Sequence, residues 1–126
     1  MDAAQTVTVS LYDRLGRFDG ITRIVHDVMD AHLNNPVISP RFKAAPDLDH
    51  AKKMAVEFFC AGCGGPEGYS GRDLVVAHKD MNINEQEYMA AMDDILWALE
   101  KNSVDANTRA EVTAVLYSLK SQIIRL

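Results

Sequence analysis

The chain has 126 residues, 48% of them apolar and 25% charged, and 13 Lys and Arg against 18 Asp and Glu leave a net charge of −5. That balance suits one globular domain over residues 1–126 and is too apolar for a disordered tail. A domain of this size buries roughly two-thirds of the surface its unfolded chain exposes, enough for a core that encloses a pocket. No dense basic patch points to nucleic acid. No apolar run approaches the roughly twenty residues of a membrane span, and Met1-Asp2-Ala3-Ala4-Gln5 lacks the basic start and apolar stretch of a secretion signal, so the expected address is the cytoplasm.

The pattern is helical nearly throughout. A short first helix is predicted at about 8–15, before Gly16 and Gly20 break the chain. Ile21, Ile24, Val25, Val28, Met29, His32 and Leu33 then form a stripe at helical spacing over 21–33, which Asn34-Asn35-Pro36 ends. A loop with Pro40 and Pro46 follows, and Asp47 or Asp49 caps a third helix running to about Cys63. Gly64-Gly65-Pro66 stops it and opens an irregular stretch to Gly71. A short helix at about 72–80 comes next. Asn84 with Glu87 reads as a capping box for a helix bearing Tyr88, Ala91, Met92, Ile95, Leu96 and Leu99. A last helix spans about 105–124 through Val112, Val115, Leu116, Leu119 and Ile123. No strand pattern or internal repeat is present, and the fold class is all-α.

Cys60 and Cys63 have C-x-x-C spacing, but two further zinc ligands are missing, and Gly64 stands where covalent haem attachment needs His. They read as small packing residues near a helix end. No H-E-x-x-H, paired-carboxylate or nucleophile-elbow pattern provides for hydrolysis. Among four histidines, His78 closes the apolar run Leu74-Val75-Val76-Ala77 on a short helix hung from a long loop. A lone helical His is usually a surface or satisfied residue. This setting suits a neutral imidazole aimed inward, toward a metal already held by something else, such as a porphyrin.

Three segments carry a family resemblance: Leu11-Tyr12-Asp13-Arg14-Leu15-Gly16, Phe58-Phe59-Cys60-Ala61-Gly62-Cys63-Gly64-Gly65-Pro66-Glu67-Gly68-Tyr69-Ser70-Gly71-Arg72 followed by His78, and Asn82-Ile83-Asn84-Glu85-Gln86-Glu87-Tyr88. Over nearly its whole length the chain resembles the group I (N-type) truncated haemoglobins. The resemblance implies a two-over-two helical sandwich around haem b, iron protoporphyrin IX, with His78 as the proximal iron ligand. It implies reversible binding of a diatomic gas (O2, CO or NO), in a monomer or weak dimer, with a reductase as partner where the iron must be reduced. By the same resemblance Phe42 packs on the porphyrin, Phe58 and Tyr88 are pocket aromatics, and Leu74 joins them.

The departures bear on function. The family places a Phe-Tyr pair in the second helix, whose Tyr donates a hydrogen bond to the gas ligand; Val28-Met29 stands there. Two distal positions of the third helix, often polar in the family, are Ala51 and Ala55. The distal stripe Ala51, Met54, Ala55 and Phe58 therefore contains no donor. A hydrogen bond to a strongly polarised acceptor is worth about 1.5–3 kcal/mol, so its loss weakens oxygen retention relative to CO by roughly ten- to a hundredfold. Met54, where some relatives carry an iron-coordinating side chain, or Met29 could supply a sixth ligand, as in an electron-transfer or redox-sensing haem protein. Otherwise both methionines fill vacated space. Lys53 becomes a ligand candidate only if the helix phase shifts by one residue; otherwise Lys52 or Lys53 pairs with a haem propionate. Arg17 replaces a second glycine after Gly16. NO dioxygenation or peroxidase chemistry ranks behind gas binding, for want of distal polar groups, and a haem-free helical module is the remaining alternative.

Overall fold

A computed structural model describes residues 9–125. Residues 1–8, with the Met1–Gln5 segment and the start of the expected first helix, lie outside the described residues, as does Leu126. Ser10 caps α1 (Leu11–Arg14), its side chain accepting from the Asp13 N–H at 3.0 Å. Gly16, at φ +90°, turns the chain at once into α2 (Arg17–Asn34), so the break expected at Gly20 does not occur. The Gly20 N–H donates to the Gly16 carbonyl at 3.0 Å, inside the first turn of the helix. A Cβ on Gly20 would lie 2.2 Å from the Leu15 carbonyl oxygen, so this glycine permits close approach between α1 and α2.

Pro40 also acts differently from its reading as a loop residue. It sits in the first turn of α3 (Ser39–Lys43), where its missing N–H has no intrahelical acceptor to lose. Asp47 caps α4 (Leu48–Gly62) by accepting from the His50 N–H at 3.0 Å. After the glycine-rich loop come α5 (Leu74–His78), capped by Asp73, and α6 (Glu85–Lys101), which opens with the expected capping box of Asn84 and Glu87. Asp105 caps α7 (Ala106–Ser118). The last helix stops short of residue 124: the Leu119 N–H is shared between the Val115 and Leu116 carbonyls, and the backbone tightens into a 3-10 turn at Lys120–Gln122. Beyond it the Arg125 N–H donates to the Ile83 carbonyl at 2.9 Å, tying the C-terminal end to the start of α6.

α2 packs on α4 and on α6, and α6 packs on α7, so the α2–α4 pair lies over the α6–α7 pair: the two-over-two arrangement. Among the described residues there is no strand, only an isolated bridge between Ile83 and Ile124. Ile21, Ile24, Val25 and Val28 of α2 meet Val56 and Cys60 of α4 and Ile95, Ala98 and Leu99 of α6 in one cluster. Each apolar stripe thus faces another, which is where most helical stability in water originates. The fully buried Thr108 hydroxyl is satisfied by Asp105 Oδ1 at 2.7 Å. Among the described residues no helix is long and apolar enough to cross a membrane.

Two glycine-turn substitutions test this corner in opposite directions. Gly20→Ala should lower the urea-derived unfolding free energy by at least about 2 kcal/mol, because its methyl meets backbone and not a movable side chain. Arg17 holds φ +61°. Arg17→Gly should therefore raise the same quantity by up to about 1 kcal/mol, since the left-handed region costs a side chain roughly that much.

Candidate functional site

The loop from Gly64 to Asp73 hangs between α4 and α5 and is fastened at both ends. Glu67 Oε2 accepts from the Tyr12 hydroxyl at 2.9 Å, which ties the loop to α1. Gly65 lies so close to the Tyr12 ring that a Cβ would come within 2.5 Å of it. Further along, Glu57 Oε1 on α4 accepts from both the Ser70 N–H at 2.9 Å and the Ser70 hydroxyl at 2.7 Å. These two bonds hold the Glu57 carboxyl below its ordinary range. The Tyr69 ring meets Phe58 edge-on at 5.3 Å, and its hydroxyl donates to the Arg72 carbonyl at 2.6 Å.

So positioned, α5 delivers His78 to the wall of a cavity of about 480 Å³. His78 Nδ1 lies 2.8 Å from the Leu74 carbonyl oxygen. A carbonyl can only accept, so Nδ1 carries a proton, and in the neutral ring Nε2 then keeps its lone pair, the form that binds a metal. Asp80 and Asn82 follow at φ +69° and +48°, left-handed positions that Asp and Asn tolerate, and the turn they make brings Met81 and Ile83 onto the wall. Phe42, Ala51, Phe58, Leu74 and Tyr88 also line the cavity. The Tyr88 hydroxyl donates to the Leu116 carbonyl.

Four residues singled out in the sequence stand elsewhere. Met29 is 5% exposed and lies in the protein interior, off the cavity wall. Met54 and Ala55 are half-buried on α4 and are also off the wall, Ala55 packing against the main core cluster. Lys53 is exposed, and Lys52 Nζ reaches His26 Nδ1 at 3.2 Å on the outer face of α2. Cys60 and Cys63 are free and buried; burial pushes both thiols up to about 11, which keeps them protonated and inert.

Sequence reasoning did not single out the polar groups of the wall. Arg41 of α3 makes a two-pronged ion pair with Glu87 of α6, which lowers the Glu87 carboxyl and raises the guanidinium. Arg72 borders the cavity from its exposed side. His32, only 6% exposed, lines it from the C-terminal turn of α2. Its ring stacks on Phe42 at 4.8 Å, and its Nδ1 is 2.7 Å from Asp94 Oδ2 of α6. Asn35 Nδ2 donates to both Asp94 oxygens at 3.2 Å. Burial lowers the His32 pKa and outweighs the opposing pull of Asp94, so the ring is neutral. His32 fell on the apolar stripe of α2, and its partner lies 62 positions away, so no local signal marked the pair.

The bacterial-like globin family model matches residues 10–125. Similar proteins include a group 1 truncated hemoglobin of Synechocystis sp., 30% identical over 112 residues that cover 84% of this chain and 88% of that one. Another, from Mycolicibacterium paratuberculosis, is 25% identical over 114 residues, 90% of this chain and 83% of that one. Among solved structures, the truncated hemoglobin of Tetrahymena pyriformis in its Fe(III) form superposes with a TM-score of 0.89 at 23% identity, covering 94% of this chain and all of that one. The chain belongs to the bacterial-like globin family, within the group I truncated haemoglobins. Membership of a haem-binding, gas-binding family makes haem b its cofactor. The cavity fits that group: its volume is that of a cofactor site, its wall is largely apolar, one imidazole there keeps a free lone pair, and Arg72 offers a cation at the open side.

The lowered pKa of His32 has a signed consequence for stability. Its ordinary value is 6.5, and below that the unfolded chain protonates this ring before the folded one does. Stability should therefore fall as pH drops from about 7 to 5, and His32→Gln should show a shallower fall. Urea unfolding of the two proteins across that range, compared slope against slope, checks this.

Proposed function

We propose that this chain, as a single globin domain, reversibly binds a diatomic gas at a haem that His78 would hold. When bound, that haem would supply a ferrous iron able to take up the gas. The observation that carries the reading is the His78 geometry: Nδ1 engaged by the Leu74 carbonyl at 2.8 Å, and the ring on the wall of an apolar cavity. The Nδ1 bond fixes both tautomer and ring orientation, as partners behind metal-binding imidazoles do. Phe42, Leu74 and Tyr88 line the cavity with apolar surface, which would keep water from a bound haem and limit iron oxidation and haem loss. Arg72 at the mouth would offer a cation to a propionate.

An open distal position is favoured over an internal methionine ligand, because Met29 and Met54 are both off the cavity wall. With Ala51 there and no donor on α4 facing the cavity, a polarised ligand such as dioxygen loses its supporting hydrogen bond. CO, which carries little charge, loses nothing comparable. The reading is thus a gas-binding globin that favours CO or NO over oxygen.

Spectroscopy and haem transfer test both parts. The ferrous protein should be high-spin and five-coordinate and bind CO in one fast phase; a low-spin ferrous spectrum without added ligand would reject the open site. His78→Ala should lose haem to an acceptor protein at least tenfold faster, with added imidazole restoring the ferrous spectrum. Unchanged haem retention in that variant would reject His78 as the ligand.

A further inference from the structure

We propose that His32, backed by Asp94, is a proton acceptor built into the ligand pocket, which fits the pocket for small protic molecules of the type HX as well as for neutral gases. The inference rests on the haem-globin reading above and adds to it the chemistry of the second imidazole on the wall.

Three observations carry it. The first is the direction of the His32–Asp94 hydrogen bond. Asp94 accepts two bonds from Asn35 at 3.2 Å and one from His32 Nδ1 at 2.7 Å, so it is surrounded by donors and the Nδ1 position holds a proton. In a neutral ring Nε2 is then a bare acceptor. The second is where Nε2 is. Among the described residues it has no hydrogen-bond partner. Nor is it sealed in, since the sealed and unpartnered side-chain oxygen or nitrogen among them is Glu67 Oε1. His32 itself is 6% exposed and lines the cavity, so the cavity is the open space against which this ring stands. The third is preorganisation. The ring is clamped between the Phe42 face at 4.8 Å and the Asp94 carboxylate, so it accepts a proton without reorienting.

The other titratable groups on this wall do not compete for the role. Glu87 is engaged by Arg41, and His78 uses Nδ1 on the Leu74 carbonyl and is assigned above to the iron. The proton balance closes within the pair. HX gives its proton to Nε2 and is left as X−, the species that a ferric haem takes up. His32 becomes an imidazolium whose charge is countered by Asp94, and no electron moves. Burial favours the neutral ring at rest, so the acceptor is free when HX arrives.

Hydrogen cyanide is a suitable probe, with CO as the aprotic control. In the ferric holoprotein at neutral pH, His32→Gln keeps an amide that can donate to Asp94 but has no basic nitrogen. It should slow cyanide association by about a hundredfold, as loss of a general base does. Asp94→Asn should slow it in the same direction, and in each variant cyanide association should slow far more than CO association with the ferrous form changes. Nitrogen NMR of the wild type should show the His32 ring with one N–H before cyanide and two after.

Cyanide association unchanged in both variants overturns the proposal. So does an equal slowing of cyanide and CO, which would mean a disturbed pocket, or a His32 ring that stays singly protonated. A wild-type chain that takes up no haem rejects the globin reading and this one together. A chain that binds haem and CO normally but fails the cyanide comparison rejects this one alone.

Discussion

A helix of five residues with no fully buried side chain cannot hold itself in water, yet α5 carries the imidazole on which the pocket turns. What holds it is the loop before it, through two carboxylates that point in opposite directions. Glu67 reaches out of the loop to the Tyr12 hydroxyl, and Glu57 reaches into it from α4 to Ser70. The first fastening is partly buried and the second is exposed. Glu67 Oε1 is left without a partner, so the loop is bound to α1 at some cost. Between these anchors Tyr69 leans on Phe58, a residue of the cavity wall, so loop and pocket share a side chain and move together. His78 is therefore placed by contacts twenty and more residues upstream, with Asp73 closing the last turn as its cap.

Apart from Arg72 at the exposed mouth, the charges on the wall are matched before they reach the cavity. Arg41 and Glu87 neutralise each other across α3 and α6, and Glu87 also closes the capping box of α6, so one carboxylate serves a helix start and a pocket wall. Asp94, with a side chain only 15% exposed, is surrounded by donors from His32 and Asn35. An unmatched carboxylate at that depth would cost several kcal/mol, by about the margin that keeps small domains folded. The same residues that make the pocket polar thus stitch α2 and α3 to α6.

Much of this was legible in the sequence because it is local. The stripe of α2, the capping box of Asn84 and Glu87, the Asp47 cap and the Gly64-Gly65-Pro66 stop each depend on residues within a turn of one another. The two misread punctuation marks, Gly20 and Pro40, depend on neighbours that periodicity does not show: a carbonyl of the preceding helix, and a first-turn position where a proline is harmless. His78, singled out by its setting, and Phe42, Ala51, Phe58, Leu74 and Tyr88, named through the family resemblance, stand on the wall, whereas Met29, Met54, Ala55 and Lys53 do not. On α4 all four positions share one face, but Ala51 and Phe58 lie two turns apart along its centre while Met54 and Ala55 flank that line on either side. His32 was hidden by its own amphipathic character: a buried imidazole fits an apolar stripe, and only the folded chain brings Asp94 to it.

The His32–Asp94 pair stands across the cavity from an α4 face that brings no donor to the wall. Of α4, only Ala51 and Phe58 reach the wall and neither carries a polar group, while Met29 of α2 lies off it in the interior. What polarity remains inside lies on the seam between α2 and α6, and it has the opposite sense. A tyrosine or glutamine offers a hydrogen to its ligand, whereas an imidazole whose Nδ1 proton is committed to a carboxylate offers a lone pair. A donor rewards ligands that gather negative charge; an acceptor rewards ligands that arrive with a proton, and gives nothing to bare dioxygen. On the proposed reading, discrimination in this cavity rests on which ring nitrogen of His32 holds hydrogen, a choice made by Asp94 and Asn35.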